Sequence, residues 1–107
     1  MTAWDVYEAD LGWGSHPVVV VSHSARALRK EFVEILDCST LRPNRLPQDH
    51  EVVLDQSDGL DWPTICKCDC IYAVPRGELR RHRGNVALER RRQIVQTIIS
   101  AHGWNAL

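Results

Sequence analysis

Three kinds of side chain in this sequence belong to types that do acid–base or phosphate chemistry. His16 stands between Ser15 and Pro17, directly before a run of four valines. An imidazole titrates near pH ~6.5, so it serves as base, as acid or, when protonated, as a cation. Ser39 and Thr40 follow Cys38 at the end of a second apolar segment. Hydroxyls in that position hydrogen-bond a phosphate oxygen or, more plainly, cap a strand end or start a turn. Arg42 lies two residues further on. Its guanidinium is a fixed cation with a forked face suited to phosphate, and equally an ordinary solvated loop residue.

Cys66, Cys68 and Cys70 alternate with other residues along one segment, which on a strand points all three to one face. With Cys38 and His50 or His82 they invite a zinc reading. Structural zinc sites favour two-residue knuckle spacings in turns over strand alternation, so packing of small thiols in a core is the expected role. Residues spaced by two on one strand are also poorly placed for a disulfide. There is no Ser-His-Asp order, phosphate-binding glycine loop or dinucleotide fingerprint. No metal or cofactor is expected.

At 107 residues the chain is long enough for one domain with a single core. No apolar run approaches the ~20 residues of a membrane helix. The N-terminal Met1-Thr2-Ala3-Trp4-Asp5 lacks the regions of a secretion signal, so a cytoplasmic protein with no membrane partner is expected. A net charge of −1 argues against coating nucleic acid through bulk charge. The charge is uneven, however. Residues 76–92 hold seven arginines (76, 80, 81, 83, 90, 91 and 92) against Glu78 and Glu89, while acids dominate 49–61. Such a patch either holds phosphates or forms a solvated helix face.

The elements that must position these groups follow from pattern. Residues 4–10 alternate as a half-buried strand, and a turn around Gly12–Gly14 leads to a strand over 17–22. Its consecutive valines suit a strand buried on both faces. Residues 23–30 form a loop or short helix, and 31–38 a third strand closing on Ser39-Thr40. Pro43, Asn44 and Pro47 mark 41–48 as loop, His50–Asp55 is a fourth strand, Ser57-Asp58-Gly59 a turn and 64–74 a fifth strand. A helix then runs between Asn85, expected as N-cap, and Gly103, expected as its stop. Its apolar stripe is Ala87, Leu88, Ile94, Val95, Ile98 and Ile99. Arg90-Arg91-Arg92 lie at the end disfavoured by the helix dipole. Five short strands and a terminal helix give a mainly antiparallel sheet or partly closed barrel.

This order resembles the PemK/MazF family of toxin endoribonucleases across nearly the whole chain, more by pattern than by long identities. Val6-Tyr7-Glu8-Ala9-Asp10-Leu11 is similar to the family's opening strand. Gly14-Ser15-His16-Pro17 through Ser22 matches its glycine loop, Arg-Pro step and valine strand, with His16 where arginine is expected. Ser39-Thr40 matches the third strand's end, Thr64–Ile71 the penultimate strand, and Gly84 the glycine before the helix.

The resemblance implies one toxin domain over 1–107 with an SH3-like barrel and C-terminal helix, a fold shared with CcdB toxins. It further implies a metal-independent, sequence-selective endoribonuclease acting through the RNA's 2′-OH, partnered by single-stranded RNA and an antitoxin, and forming a homodimer. His16 and Ser39 take the catalytic positions, with Thr40, Arg42, Lys67 and Arg76 as RNA contacts. The alternative is a CcdB-like or regulatory homologue that binds a protein target and cuts nothing.

Overall fold

The computed structural model describes residues 1–12 and 14–107, so part of the expected Gly12–Gly14 turn lies outside the described residues. Among the described residues there are six strands: β1 Asp5–Asp10, β2 Ser15–Val20, β3 Phe32–Thr40, β4 Glu51–Leu54, β5 Thr64–Pro75 and β6 Leu79–Asn85. A short helix α1, Ser24–Arg29, joins β2 to β3, and α2, Leu88–Ala101, follows β6. The strands form one sheet in the order β4-β5-β3-β2-β1-β6, antiparallel at every pairing.

The valine run behaves as its composition dictates. Val18, Val19 and Val20 are all fully buried, yet Val19 joins one core cluster while Val18 and Val20 join the other. The first cluster packs Val6, Leu36, Leu54 and Cys66 against Ile94 and Ile98 of α2. The second packs Val33, Ile35 and Leu79 around Ala27 of α1. The sheet is thus covered on both faces.

Five strands were expected, and the sixth is the arginine-rich β6. Only Leu79 on it is buried, so it lacks the apolar alternation that announces a strand. It is an edge strand, where charge discourages pairing with other chains. The opposite edge is β4, and the sheet does not close. Instead the segment after β4 passes against β6. Gly59 (φ 89°) meets the backbone there so closely that a Cβ on it would lie 2.5 Å from the Arg83 carbonyl oxygen. Gly84 faces it, and a Cβ on Gly84 would lie 2.8 Å from Gly59 Cα. Side chains at either position would push the two segments apart.

Asn85 is not the N-cap of α2. It ends β6 and donates its amide to Asp5 Oδ1 at 2.9 Å. The cap is Ala87, whose N–H donates to Asp58 Oδ1 at 2.8 Å, so the capping carboxylate comes from a different segment. The two-residue delay buries Val86. Gly103 ends the helix as expected, in the left-handed conformation (φ 72°). Half of the expected apolar stripe, Leu88, Val95 and Ile99, is exposed, because only the Ile94–Ile98 ridge meets the sheet.

The cysteines also divide. Cys38, Cys66 and Cys68 are buried in the first core cluster, but Cys70 is exposed. The reason is a bulge in β5. Leu36 pairs with Ile71 and Cys38 with Cys66, so two steps along β3 correspond to five along β5. Strict alternation fails across 67–70. Contact with the Cys38 and Cys68 thiols, together with burial, pushes the Cys66 thiol up from its ordinary range, as suits a packing residue.

Candidate functional site

The antiparallel order brings the start of β2, the end of β3 and the start of β5 to one end of the sheet. Val18 pairs with Asp37, and extending that register by two residues sets His16 beside Ser39. His16 is already strand, paired with Ala9, because β1 and β2 hold their ladder down to Asp10 and Ser15. Beside these residues is a cleft of about 510 Å³. Its walls are Glu8 of β1, Ser15, His16 and Pro17 of β2, Ser39 and Thr40 of β3, and Thr64 of β5. Leu60, Asp61 and Trp62 close one side, and Arg81 and Arg83 of β6 another. His16, Ser39 and Thr40 also line a second depression with Arg42 and Pro43, so they form the ridge between the two.

The geometry at His16 fixes its tautomer. Nδ1 lies 3.0 Å from the Cys38 carbonyl oxygen. A carbonyl only accepts, so Nδ1 carries the proton and Nε2 remains for the cleft. The buried Asp37 carboxylate stands alongside, with Oδ1 3.8 Å from Nδ1. Asp37 Oδ1 has no hydrogen-bond partner among the described residues. Its Oδ2 lies 3.6 Å from Lys67 Nζ. Ser39 is half-buried and its hydroxyl makes no hydrogen bond among the described residues, leaving it free to donate. Thr40 Oγ1 accepts from Trp62 Nε1 at 2.9 Å, which anchors an otherwise exposed indole.

The structure therefore gathers His16, Ser39, Thr40 and Arg42 in one place. Lys67 lines neither depression; its Nζ lies 3.6 Å from the same Asp37 carboxylate that stands beside His16. Arg76 is elsewhere. It follows the far end of β5, where its guanidinium donates to the carbonyls of Leu28 (3.1 Å) and Lys30 (2.7 Å).

Glu8, Asp61, Trp62, Arg81 and Arg83 were not singled out from the sequence as site residues. Arg83 belongs to the arginine-rich stretch but is pinned: Nη1 lies 2.7 Å from Glu8 Oε1 and Nη2 2.8 Å from Asp61 Oδ2. Arg90, at the disfavoured end of α2, is likewise held, by Asp58 at 2.6 Å and Asp55 at 2.9 Å. Its hydrogen bond to Asp55, working against burial, raises its pKa further, and the same bond holds Asp55 below the usual carboxylate range. The local conflict with the helix dipole is thus resolved by partners from the acidic 49–61 stretch. Among the described residues, no three His, Cys, Asp or Glu side chains are grouped to hold a metal ion.

Comparisons with known proteins agree with this architecture. No curated protein sequence matches the chain. A mycobacterial endoribonuclease solved in complex with its cognate antitoxin superposes with a TM-score of 0.84 and 26% identity, over 96% of this chain and 95% of that one. The Mycobacterium tuberculosis toxin MazF-mt6 superposes at 0.82 with 20% identity, over 92% and 96%. A MazE–MazF structure from Deinococcus radiodurans gives 0.77 with 13% identity, over 96% and 95%. The last two likenesses are of fold. The family profile of the PemK-like, MazF-like toxins of type II toxin–antitoxin systems matches residues 2–102, and the chain belongs to that family.

Proposed function

We propose that this chain is a metal-independent, sequence-selective endoribonuclease toxin that cuts single-stranded RNA through the RNA's own 2′-OH. The observation that carries the reading is the convergence of His16, Ser39 and Thr40 on the wall of one cleft that also holds Glu8, Asp61 and two arginines. The description of a 26%-identical relative as an endoribonuclease supports it.

In this reaction the 2′-oxygen attacks phosphorus and the P–O5′ bond breaks. Glu8 and Asp61 are the cleft's carboxylates and so the available acceptors for the 2′-OH proton. Ser39 Oγ–H donates to a non-bridging oxygen. His16, as imidazolium, stabilises the charged phosphorus centre and gives its Nε2 proton to the departing 5′-oxygen. The products are a 2′,3′-cyclic phosphate and a 5′-OH. The exposed Trp62 offers a flat apolar face for base stacking, beside the ridge that the phosphate would cross.

The carboxylates of 49–61 favour chemistry without a metal. Glu51 is engaged by Arg45, Asp55 and Asp58 by Arg90, and Asp61 by Arg83, which disperses them rather than gathering them round an ion. An antitoxin partner follows from the relative's complex. A homodimer accounts for Leu88, Val95 and Ile99 left uncovered on α2. A stable monomer by light scattering at micromolar concentration would count against that assembly.

The test is cleavage of a long RNA by pure protein in excess chelator, with end-group analysis, beside Ser39→Ala. Defined cuts with cyclic-phosphate ends, lost on the order of 10²-fold in a folded Ser39→Ala variant, are expected. No cleavage by the wild type would move the reading to a toxin that binds a protein target.

A further inference from the structure

Strand β6 breaks register twice against β1. The partners run Val6↔Gly84, Tyr7↔His82 and Glu8↔Arg80, so Arg83 and Arg81 are the extra residues of two successive bulges. Both line the cleft of His16 and Ser39. Bulges re-aim side chains and concentrate beside active sites. Arg81 also has φ 27°, and the one other non-glycine residue with positive φ among the described residues is Trp4. A residue with a Cβ holds such a conformation only where its surroundings over-determine it, and such residues cluster at functional sites.

The two arginines are not equivalent. Arg83 is 11% exposed and held by two carboxylates, so its charge is already matched. Arg81 is 70% exposed, and its nearest carboxylate oxygen, on Glu8, stands 3.9 Å away. So loose a surface pair is weak, and a phosphate can readily replace it. Most of the five guanidinium donors then remain for a forked contact with phosphate oxygens.

Resting on the endoribonuclease reading, we infer that Arg81 binds the phosphate of the bound RNA. It supplies from β6 the fixed cation that β2 does not supply at His16. The bulge and the positive φ are the backbone's means of bringing the arginine across Glu8 into the cleft.

The test compares Arg81→Gly with Arg80→Gly, an exposed neighbour of the same charge that does not line the cleft. Glycine accommodates the positive φ, so Arg81→Gly should fold, and Arg81→Asn, which also tolerates it, serves as a second variant. Two readouts are taken: cleavage rate, and the salt dependence of affinity for a 2′-O-methylated RNA, which lacks the nucleophile. Arg81→Gly should cut on the order of 10²-fold more slowly. It should also flatten the slope of log affinity against log salt by about 0.7, one phosphate contact on a single strand. Arg80→Gly should leave the rate unchanged. Equal losses in both variants would mean bulk charge alone and overturn the assignment. An unaffected Arg81→Gly beside an active wild type would overturn it too. A wild type that neither cuts nor binds RNA would instead remove the endoribonuclease reading, and Arg81's role with it.

Discussion

Asp58 is where the fold around the cleft is most exposed to a single change. Its side chain is fully buried, and both its oxygens are engaged. Oδ1 accepts from the Ala87 N–H at 2.8 Å, and Oδ2 accepts from Arg90 Nη1 at 2.6 Å and from the Asp55 N–H at 2.9 Å. Asp58→Ala removes the remote cap of α2, orphans two backbone donors and leaves Arg90 with Asp55 alone. Breaking a buried ion pair by deleting one partner costs about 3–5 kcal/mol. Loss of a helix cap costs about 1 kcal/mol when measured alone. The terms overlap, and Arg90 keeps its 2.9 Å contact with Asp55, so the lower end, about 3 kcal/mol, is the better figure. For a domain of this size that lowers Tm by roughly 12–24 °C, at about 4–8 °C per kcal/mol.

Differential scanning calorimetry and urea titration of Asp58→Ala beside Asp55→Ala measure this directly. Asp55→Ala, which removes the more exposed partner of Arg90, should shift Tm much less. The effect should also reach the cleft. Asp58 sits beside Gly59, whose close approach to Arg83 positions Asp61 and Trp62, so RNA cleavage should fall even well below the lowered Tm. An Asp58→Ala variant whose Tm falls by less than about 3 °C, or by no more than that of Asp55→Ala, would refute the assignment of Asp58 as the tie between α2, the turn and β6.

Two further predictions concern pH. Nδ1–H of His16 is fixed on the Cys38 carbonyl and Nε2 is the working nitrogen, so a role as acid and cation requires the imidazolium. The cleavage rate should then fall as rising pH removes the imidazolium, while His16→Arg keeps phosphate binding but gives a flatter profile, and a pH-independent rate with an unaffected His16→Ala would exclude the role. Stability should weaken in acid. Asp5 and Glu51 are held below the usual carboxylate range: burial opposes this, but Thr2 and Asn85 hydrogen-bond Asp5, and Arg45 and Gln48 hydrogen-bond Glu51. A lowered folded pKa contributes stability that is complete above the unfolded value of about 4 and lost as pH falls through the folded one. Urea midpoints should therefore drop from about pH 5 downward, less so in Glu51→Gln, and a midpoint flat to pH 3 would contradict the pairing.

What was legible in the sequence was whatever hydrophobic periodicity writes. The valine strand, the third strand ending at Ser39-Thr40 and the Gly103 stop are local signals, and they appear within two residues of where the pattern put them: the valine strand, expected over 17–22, runs Ser15–Val20, because its ladder with β1 extends back to Ser15. What was not legible depends on partners distant in sequence. β6 is a strand because β1 pairs with it, not because Leu-Arg-Arg-His-Arg-Gly-Asn reads as one. Asn85 looks like a cap, yet Asp58, 29 residues earlier than Ala87, performs that task. Cys70 parts from Cys66 and Cys68 because of a bulge that alternation cannot anticipate.

The arginines show why a charge count is a poor map of a phosphate site. Of the seven between 76 and 92, Arg76 ties to the end of α1, Arg83 to Glu8 and Asp61, Arg90 to Asp55 and Asp58, and Arg91 to the Val86 carbonyl and Asn85. Four of the seven thus hold the fold together. Of the other three, Arg80, Arg81 and Arg92, only Arg81 lines the cleft of His16 and Ser39. If that cleft cuts RNA, its two walls carry charge of different kinds, fixed on β6 and titratable on β2. A phosphate would then be held across the neutral range by Arg81, while His16 governs the proton delivered to the leaving oxygen. Binding and cleavage should therefore part company as pH rises, with affinity for RNA outlasting the ability to cut it.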